Sequence, residues 1–317
     1  MSFSDVLKIA LLAGGTSSER EVSLKGAEAV KRALEKLGHY YEFFDPAKDL
    51  SKLTQRAEEF DCAFLVIHGP GGEDGTLQGF LDSINLPYQG AGVLGSALAM
   101  HKGISKILYK LAGLKVPEGK TFLKYTPFRE IKEYVKKIKF PLVVKPATQG
   151  SSIGLSIVKR EEELKESAEK AFAIDEEVIV EEYLRGREIT VGILDDEPLP
   201  VVEIIPKVSE TFDYKTKYTP GLAEEVCPAK LSQTLTKKAQ EYALTAHRAL
   251  KLRHYSRTDM IVVENEIYVL ETNTIPGMTE TSLLPLAAKV AGYSFEKLIQ
   301  KLLELTLKER LKNKSPV

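Results

Sequence analysis

Four polar residues near the end of the chain have the types and spacing of a metal-binding hairpin. Arg257 and Asp259 lie in one predicted strand, and Glu271 and Asn273 lie in the next. If the polar residues 264–266 form the turn, Asp259 faces Glu271, and Arg257 faces Asn273. Alternation along each strand then puts all four side chains on one face of the sheet.

Two carboxylates about 5 Å apart at their Cβ atoms repel each other, and an ordinary sheet does not compensate for that repulsion. A bound cation would compensate for it. Two carboxylates and one amide oxygen, without thiol or imidazole, suit a hard ion such as Mg²⁺. Asp259, Glu271 and Asn273 are therefore candidate metal ligands. A solvated hairpin face with a surface ion pair is the alternative interpretation.

The composition narrows the class of protein. The chain has 317 residues, of which 43% are hydrophobic and 28% charged, and its net charge is −1. These values are typical of a soluble protein with two or three domains, and they argue against a nucleic-acid partner. We expect no membrane span, because no apolar stretch approaches about 18 residues. Cys62 and Cys227 are far apart in the sequence and lie in apolar or Pro-flanked surroundings, which predicts buried, reduced thiols in a cytoplasmic protein. We expect no signal peptide, because the segment Met1–Ile9 lacks the features of one.

The order of predicted elements divides the chain into three parts. A strand, a glycine turn and a helix open a parallel α/β domain that we place at residues 1–95. A helical stretch at 94–112 leads into an α+β module that we place at 96–184, which contains two strands joined by a Gly- and Ser-bearing loop at 146–153. Further strands, a long helix, the hairpin and a closing helix fill 185–317. The predicted fold class is α/β, or α+β overall.

Two more segments could bind a nucleotide. Lys145 enters the loop that carries Ser151 and Ser152, and backbone amides with hydroxyls in such a loop can cover phosphates. A second group follows a buried strand and mixes an apolar contact with acceptors that could hold adenine and ribose, namely Glu181, Glu182, Tyr183, Leu184 and Glu188. Taken alone, the first segment could be a surface hairpin and the second a charged strand end.

Glu19 and His68 each follow an apolar strand of the first domain. Glu19 stands at the carboxyl end of its strand, where ligands bind in open α/β sheets, and could receive an ammonium group. Pairing with Arg20 or support of the next helix is the alternative. His68 is followed by several glycines, which indicate a backbone that bends close to another group.

Four blocks, at residues 14–24, 68–75, 145–154 and 271–279, match one known family in order and spacing. Together they resemble the D-alanine–D-alanine ligases of the ATP-grasp superfamily, and the likeness spans nearly the whole chain. The resemblance implies a three-domain ATP-grasp fold with a central lid subdomain and a C-terminal catalytic subdomain. It implies ligation of two D-alanines through a D-alanyl phosphate, for peptidoglycan precursor synthesis. It also implies ATP, two Mg²⁺ ions with Mn²⁺ as a substitute, and a homodimer.

The resemblance further implies a role for each candidate residue. The residues that would hold ATP are Lys102, Lys145, Ser151, Ser152, Glu181, Glu182, Tyr183, Leu184, Glu188 and Lys217, and the metal ligands would be Asp259, Glu271 and Asn273. The substrate-binding residues would be Glu19 for the first ammonium, His68, and the carboxylate-binding Ser282 and Leu283. Ser151 and Tyr218 would complete a hydrogen-bonded set with Glu19, while Arg257 and the Gly277 amide would stabilise an oxyanion.

Three alternative functions are considered for the chain. A ligase of the same fold could form an ester with D-lactate or a dipeptide with D-serine, although the polar segment from Pro206 to Glu225 keeps Lys217 and Tyr218, as dipeptide-forming members do. A dinucleotide-dependent oxidoreductase requires a G-x-G-x-x-G spacing that the first glycine turn lacks. A catalytically silent nucleotide-binding protein would be expected to have lost at least one residue of the phosphate and metal sets, and all are present.

Overall fold

The computed structural model describes residues 6–207 and 223–314, with side chains described as far as residue 309. Lys217 and Tyr218 lie outside the described residues. The strands are β1 (Lys8–Ala13), β2 (Tyr40–Phe44), β3 (Cys62–Val66), β4 (Gly119–Leu123), β5 (Leu142–Pro146), β6 (Ser156–Val158), β7 (Glu177–Glu182), β8 (Arg187–Leu194), β9 (Glu197–Pro198), β10 (Val202–Pro206), β11 (Ala223–Val226), β12 (Tyr255–Val263) and β13 (Glu266–Asn273). The helices are α1 (Arg20–Lys36), α2 (Leu50–Arg56), α3 (Thr76–Ser83), α4 (Val93–Met100), α5 (Lys102–Leu111), α6 (Phe128–Val135), α7 (Leu164–Phe172), α8 (Gln233–Ala249), α9 (Leu283–Val290) and α10 (Phe295–Lys314).

The first sheet is parallel, with the strand order β2-β1-β3. Its central strand reads as a continuous apolar run because both of its faces are covered. Ile9 and Leu11 pack into the core on the side of α1, whereas Ala10 and Leu12 pack into a second core on the opposite side. The predicted strand, glycine turn and helix at the start of the chain are therefore confirmed.

The second sheet is antiparallel, with the order β4-β7-β5-β6. Strands β5 and β6 are the two that the Gly- and Ser-bearing loop was predicted to join. Helices α6 and α7 contribute Ile131 and Leu164 to the core that covers this sheet, and every buried member of that core lies between Phe122 and Val180. The sheet thus has a hydrophobic core of its own.

The third sheet contains the path β11-β10-β8-β12-β13, with β9 paired to β8. Helix α8 covers one face through Ala239, Ala243 and Ala246. The small alanine side chains allow the helix to approach the sheet closely. The core that contains β1 and α1 also includes residues of α9 and α10, such as Leu284 and Leu302, so the end of the chain packs against its beginning.

The hairpin pairs at the site are as predicted, but the predicted turn, and with it the register from Met260 to Val263, is wrong. Arg257 faces Asn273 and Asp259 faces Glu271. The turn is two residues long, because Val263 pairs with Glu266. Asp259 pairs with Glu271 and Met260 pairs with Val269, so Leu270 is an extra residue on β13 and forms a bulge. Beyond this bulge, at Asp259 and Arg257, the pairing is the one that a three-residue turn would give.

The helical stretch predicted at 94–112 is two helices. The break falls at His101, which has extended backbone angles and whose Nδ1 accepts a hydrogen bond from the amide of Ile104 at the start of α5. The break also lets the backbone amide of Lys102 donate to the carbonyl of Ala147, 2.9 Å away, beside the Gly- and Ser-bearing loop. Among the described residues, no helix is long and apolar enough to cross a membrane.

Candidate active site

A deep cleft lies between the second and third sheets and encloses about 1010 Å³ including its solvent-open mouth. Its walls are largely apolar, as a planar base requires. Ten of the residues predicted to bind nucleotide or metal line it, namely Lys102, Lys145, Ser152, Glu181, Glu182, Tyr183, Leu184, Glu188, Asp259 and Glu271. Residues that sequence reasoning missed complete the walls, among them Val143, Leu155, Ile157, Ile261 and Leu270.

The charged groups at the base of the cleft are paired with one another. Lys145 Nζ lies 2.8 Å from Glu181 Oε1, and Lys102 Nζ lies 3.1 Å from Glu271 Oε2. Lys102 also donates a hydrogen bond to the backbone carbonyl of Gln149 in the Gly- and Ser-bearing loop. Two ammonium groups therefore stand at the cleft where a polyanion such as a nucleoside triphosphate could exchange for the carboxylates.

The hairpin carboxylates are balanced by basic side chains, as in the alternative interpretation, but the Arg257–Asp259 pair is buried and not on a solvated surface. Arg257 donates to both oxygens of Asp259, at 2.9 and 2.8 Å, and Thr190 donates to the same carboxylate at 2.7 Å. Asn273 Nδ2 lies 3.1 Å from Asp259 Oδ2. Repulsion between Asp259 and Glu271 is thus not by itself evidence for a cation.

The same residues nevertheless fit a hard cation by the chemistry of their donors. Asp259, Glu271 and Asn273 offer carboxylate and amide oxygens at adjoining positions of one sheet face. No group of three or more His, Cys, Asp or Glu side chains in the described parts of the chain is arranged to hold a metal. Two carboxylates and an amide are an incomplete shell, so any Mg²⁺ here would need phosphate or water oxygens as well.

Glu19 connects the first domain with the loop that covers the cleft. Its carboxylate accepts a hydrogen bond from the hydroxyl of Ser151, and both side chains are buried. A Cβ atom added at Gly69 or at Gly150 would lie within 3.0 or 2.8 Å of Glu19 Oε2, so both backbones approach the carboxylate closely. The alternative of a Glu19–Arg20 pair is wrong, because Arg20 pairs with Asp45 at 2.6 Å.

The loop itself holds a backbone conformation that residues with side chains rarely adopt. Ser151 and Ser152 have φ values of 50° and 58°, in the left-handed region. Such angles cost about 1 kcal/mol or more each and persist where the surroundings enforce them, often at ligand sites. The strain turns Ser151 toward Glu19 and leaves Ser152 at the cleft.

The residues predicted to bind the second substrate lie together at the start of α9. Ser282 Oγ accepts a hydrogen bond from the Thr279 amide at 3.1 Å, and a Cβ at Gly277 would lie 3.0 Å from that hydroxyl. Leu283 begins the helix and its side chain is buried in the core, so only its backbone is suited to a ligand. Backbone N–H groups at a helix start favour a carboxylate.

His68 and Glu73 lie at the two ends of the glycine-rich loop that follows β3. His68 is buried, and its carbonyl accepts from the hydroxyl of Ser17 at 2.7 Å. Glu73, which sequence reasoning left without a role, accepts from the amides of Gly69 at 2.8 Å and Ile275 at 3.2 Å. Burial of the carboxyl group and the nearby charge of Glu19 raise the pKa of Glu73 to about 7.

Comparisons with known proteins give matches along most of the chain. Residues 108–304 match the family model described as D-ala D-ala ligase C-terminus, and residues 44–91 match D-ala D-ala ligase N-terminus. The D-alanine–D-alanine ligase of Syntrophobacter fumaroxidans is 51% identical over 310 residues, covering 96% of this chain and 99% of the relative.

Solved structures give the same result. A D-alanine–D-alanine ligase from Bacillus anthracis, complexed with ATP, superposes with a TM-score of 0.85 at 34% identity, covering 97% of this chain and 100% of that one. VanG, a D-Ala:D-Ser ligase from Enterococcus faecalis, superposes with a TM-score of 0.81 at 33% identity, covering 95% and 100%. With most of its length matched at this level of identity, the chain belongs to the D-alanine–D-alanine ligase family.

Proposed function

We propose that this protein uses ATP to join two D-alanine molecules into D-alanyl-D-alanine, and that the residues of the cleft and of the loop beside it carry the reaction. The proposal is supported above all by residues 149–153. Gln149, Ser152 and Ile153 line the cleft, while Ser151 contacts Glu19. One loop therefore touches both the proposed nucleotide site and the proposed ammonium site, which brings the first substrate close to the phosphates.

In the nucleotide half of the site, Lys102 and Lys145 bind phosphate oxygens once these displace Glu271 and Glu181 as their partners. Glu181, Glu182, Tyr183 and Leu184 surround adenine, and Glu188 accepts from the ribose, as the family resemblance implies. Lys217 is assigned to the transferred phosphoryl by that resemblance alone. Position and charge neutralisation are the main sources of rate in such a transfer.

In the substrate half, a carboxylate oxygen of the first D-alanine attacks the γ-phosphorus, the bond to the bridging oxygen breaks, and ADP leaves. The second amine then attacks the acyl phosphate, phosphate leaves as the peptide bond forms, and the amine proton passes to phosphate or solvent. Glu19 holds the first ammonium and His68 lines the substrate site. Arg257 and the Gly277 amide stabilise the oxyanion of the tetrahedral intermediate. Ser282, the Leu283 amide and Tyr218 complete the site by resemblance.

Asp259, Glu271 and Asn273 would hold Mg²⁺, with Mn²⁺ as a substitute. Two ions, as in the family, would supply charge neutralisation for the triphosphate. Asp259 keeps a structural role without metal, because it already fixes Arg257 in place.

The test is a coupled assay of ADP and phosphate release with ATP and Mg²⁺, with the dipeptide identified by mass spectrometry. D-alanine should give one ADP and one phosphate per dipeptide. L-alanine should give background. Background release with D-alanine alongside turnover with D-lactate or D-serine would refute the assignment in favour of the related ligase types.

We also propose that the protein acts as a homodimer in the cytoplasm. Helix α5 exposes Ile104, Ile107 and Leu111, an apolar face suited to a second copy. Cys62 and Cys227 form no disulfide within the described parts of the chain, which fits a reducing compartment. Analytical ultracentrifugation of the wild-type protein should give twice the mass of one chain. The Ile107→Glu variant should have the mass of a single chain. A monomeric wild-type protein would refute the dimer.

A further inference from the structure

Helix α5 buries polar residues and exposes apolar ones. Lys102, Ser105, Lys106 and Tyr109 form its buried face. Burying a lysine is costly unless the ammonium group has a partner. Lys102 is accounted for by the proposed phosphate site, but Lys106 has no role in the proposed reaction.

Lys106 lies behind the cleft and contacts Glu181. Its Nζ pairs with Glu181 Oε2, while Lys145 Nζ lies 2.8 Å from Glu181 Oε1. Lys106 is not among the described residues that line the cleft, whereas Glu181 and Lys145 are. It is therefore placed to act on a ligand only through Glu181.

The pair is ionic at neutral pH. Burial would raise the pKa of Glu181, but the ammonium groups of Lys106 and Lys145 outweigh burial and hold that pKa below its usual value. Burial lowers the pKa of Lys106 to about 8, which leaves most of it protonated at pH 7. The charge of Glu271 also acts on Lys106 and Lys145, and burial, helped by the charge of Glu181, raises the pKa of Tyr134, which stays neutral.

A bound nucleotide would affect the contacts of Lys145 and Lys106 with Glu181 differently. Phosphates that bind Lys145 weaken its contact with Glu181, because an ammonium group shared between two anions interacts less strongly with each of them. Lys106 is out of reach of the ligand and keeps its contact. With ATP bound, Lys106 is then the main counterion of the Glu181 carboxylate.

We propose that Lys106 is the positioning residue that sets base selectivity, by keeping Glu181 a charged hydrogen-bond acceptor toward the 6-amino group of adenine. This rests on the proposed function, in which Glu181 contacts the base. A carboxylate accepts from an amino group but repels the 6-oxo group of hypoxanthine or guanine. A carboxyl that has lost its buried counterion takes up a proton more readily and can then donate to an oxo group.

The test compares ATP with ITP, which replaces the 6-amino group by an oxo group. Lys106→Met should lower the preference for ATP over ITP about ten- to hundredfold, the value of a hydrogen bond to a charged group. The effect should appear in the dissociation constants measured by calorimetry and in the KM for the nucleotide, with the KM for D-alanine unchanged. Lys106→Arg should restore much of the preference. Lys110→Met removes an exposed lysine of the same helix, which pairs with Glu118 at 3.2 Å, and should leave the preference unchanged.

A double-mutant cycle keeps the test decisive if Lys106→Met does not fold. Lys106→Met with Glu181→Gln removes both buried charges and should show the same ATP-to-ITP ratio as Glu181→Gln alone. A further fall in the double variant, or an unchanged ratio in folded Lys106→Met, would overturn the proposal. Calorimetry needs no turnover, so a protein that binds ATP but makes no D-alanyl-D-alanine would refute the proposed function and leave this inference testable.

Discussion

The carboxyl group of Glu73 should make the stability of this protein fall as pH rises through neutrality. Although the residue is partly exposed, its carboxyl group is enclosed between the Gly69 and Ile275 amides and lies near the charge of Glu19. Burial first, and Glu19 second, raise the pKa from 4.5 to about 7. That difference corresponds to about 3 kcal/mol between the folded and unfolded chains when the group is fully ionised.

The sign follows from the direction of the change. A carboxyl with a raised folded pKa favours folding while it is protonated. Its contribution is therefore complete below pH 4.5 and is lost progressively as pH rises through about 7. Between pH 5 and 8 this group alone should reduce the free energy of unfolding by about 2 to 3 kcal/mol.

Glu73→Gln isolates the effect because an amide cannot ionise. The variant loses one acceptor toward Gly69 or Ile275, at a pH-independent cost of about 1 kcal/mol. The variant should therefore be less stable than wild type at pH 5 and more stable at pH 8. Asp74→Asn is a matched control for the lost acceptor, since Asp74 also accepts from two backbone amides, at 2.7 and 2.9 Å.

The assay is denaturant unfolding followed by circular dichroism and by tyrosine fluorescence, because the chain contains no tryptophan. Coincident transitions are required before free energies are compared. The reasoning would be refuted if the free energies of unfolding of Glu73→Gln and wild type differed by the same amount at every pH from 5 to 8. A ¹³C titration that places the Glu73 carboxyl below pH 5 would refute it as well.

Three other substitutions test different parts of the site. Glu271→Gln removes an anionic oxygen from the proposed metal set, so turnover at low Mg²⁺ should fall about a hundredfold or more; near-normal turnover would make the hairpin an ordinary ion-pair surface. Asp45 has a pKa lowered to about 2, chiefly by its hydrogen bond from Arg20, so its stabilisation is present above pH 3.8 and lost as pH falls through 2. Asp45→Asn should thus lower the free energy of unfolding by about 1 to 2 kcal/mol at pH 7 and by much less at pH 2, as measured by thermal unfolding. An equal loss at both pH values would contradict this. Gly119→Ala would place a Cβ atom 2.5 Å from that of Glu181, so the KM for ATP should rise about tenfold, whereas an unchanged KM would mean the strands adjust freely.

The hairpin shows how far sequence patterns reach. Alternation of side chains was sufficient to place Asp259 and Glu271 on one face, because the hydrophobic positions of both strands have to face the core, but their pairing depended on the assumed turn. The same pattern could not distinguish a three-residue turn from a two-residue turn with a bulge at Leu270, since both give the same register near the site. The bulge matters, because it puts Leu270 and Glu271 side by side at the cleft.

Lys106 and Glu73 were missed for a different reason. Each acts through contacts between segments far apart in the chain, Lys106 with Glu181 and Glu73 with the amide of Ile275. No local spacing reports such contacts. The sequence of α5 nevertheless carried a signal. Ile104 and Ile107 lie on one face of this helix and Lys102 and Lys106 on another, and the pattern alone does not say which of the two faces is buried. The domain boundaries at residues 95 and 184 stay a prediction.

The core that joins β1 and α1 to α9 and α10 has a consequence for how the chain folds during synthesis. Leu11 and Phe64 leave the ribosome before Leu284 and Leu302, with which they share their core. The second sheet, with every buried core residue between Phe122 and Val180, has no such dependence. Domains fold as units while the chain emerges. The second sheet can therefore be complete before the first sheet is, and one face of the early apolar strands stays uncovered until α9 and α10 have been made.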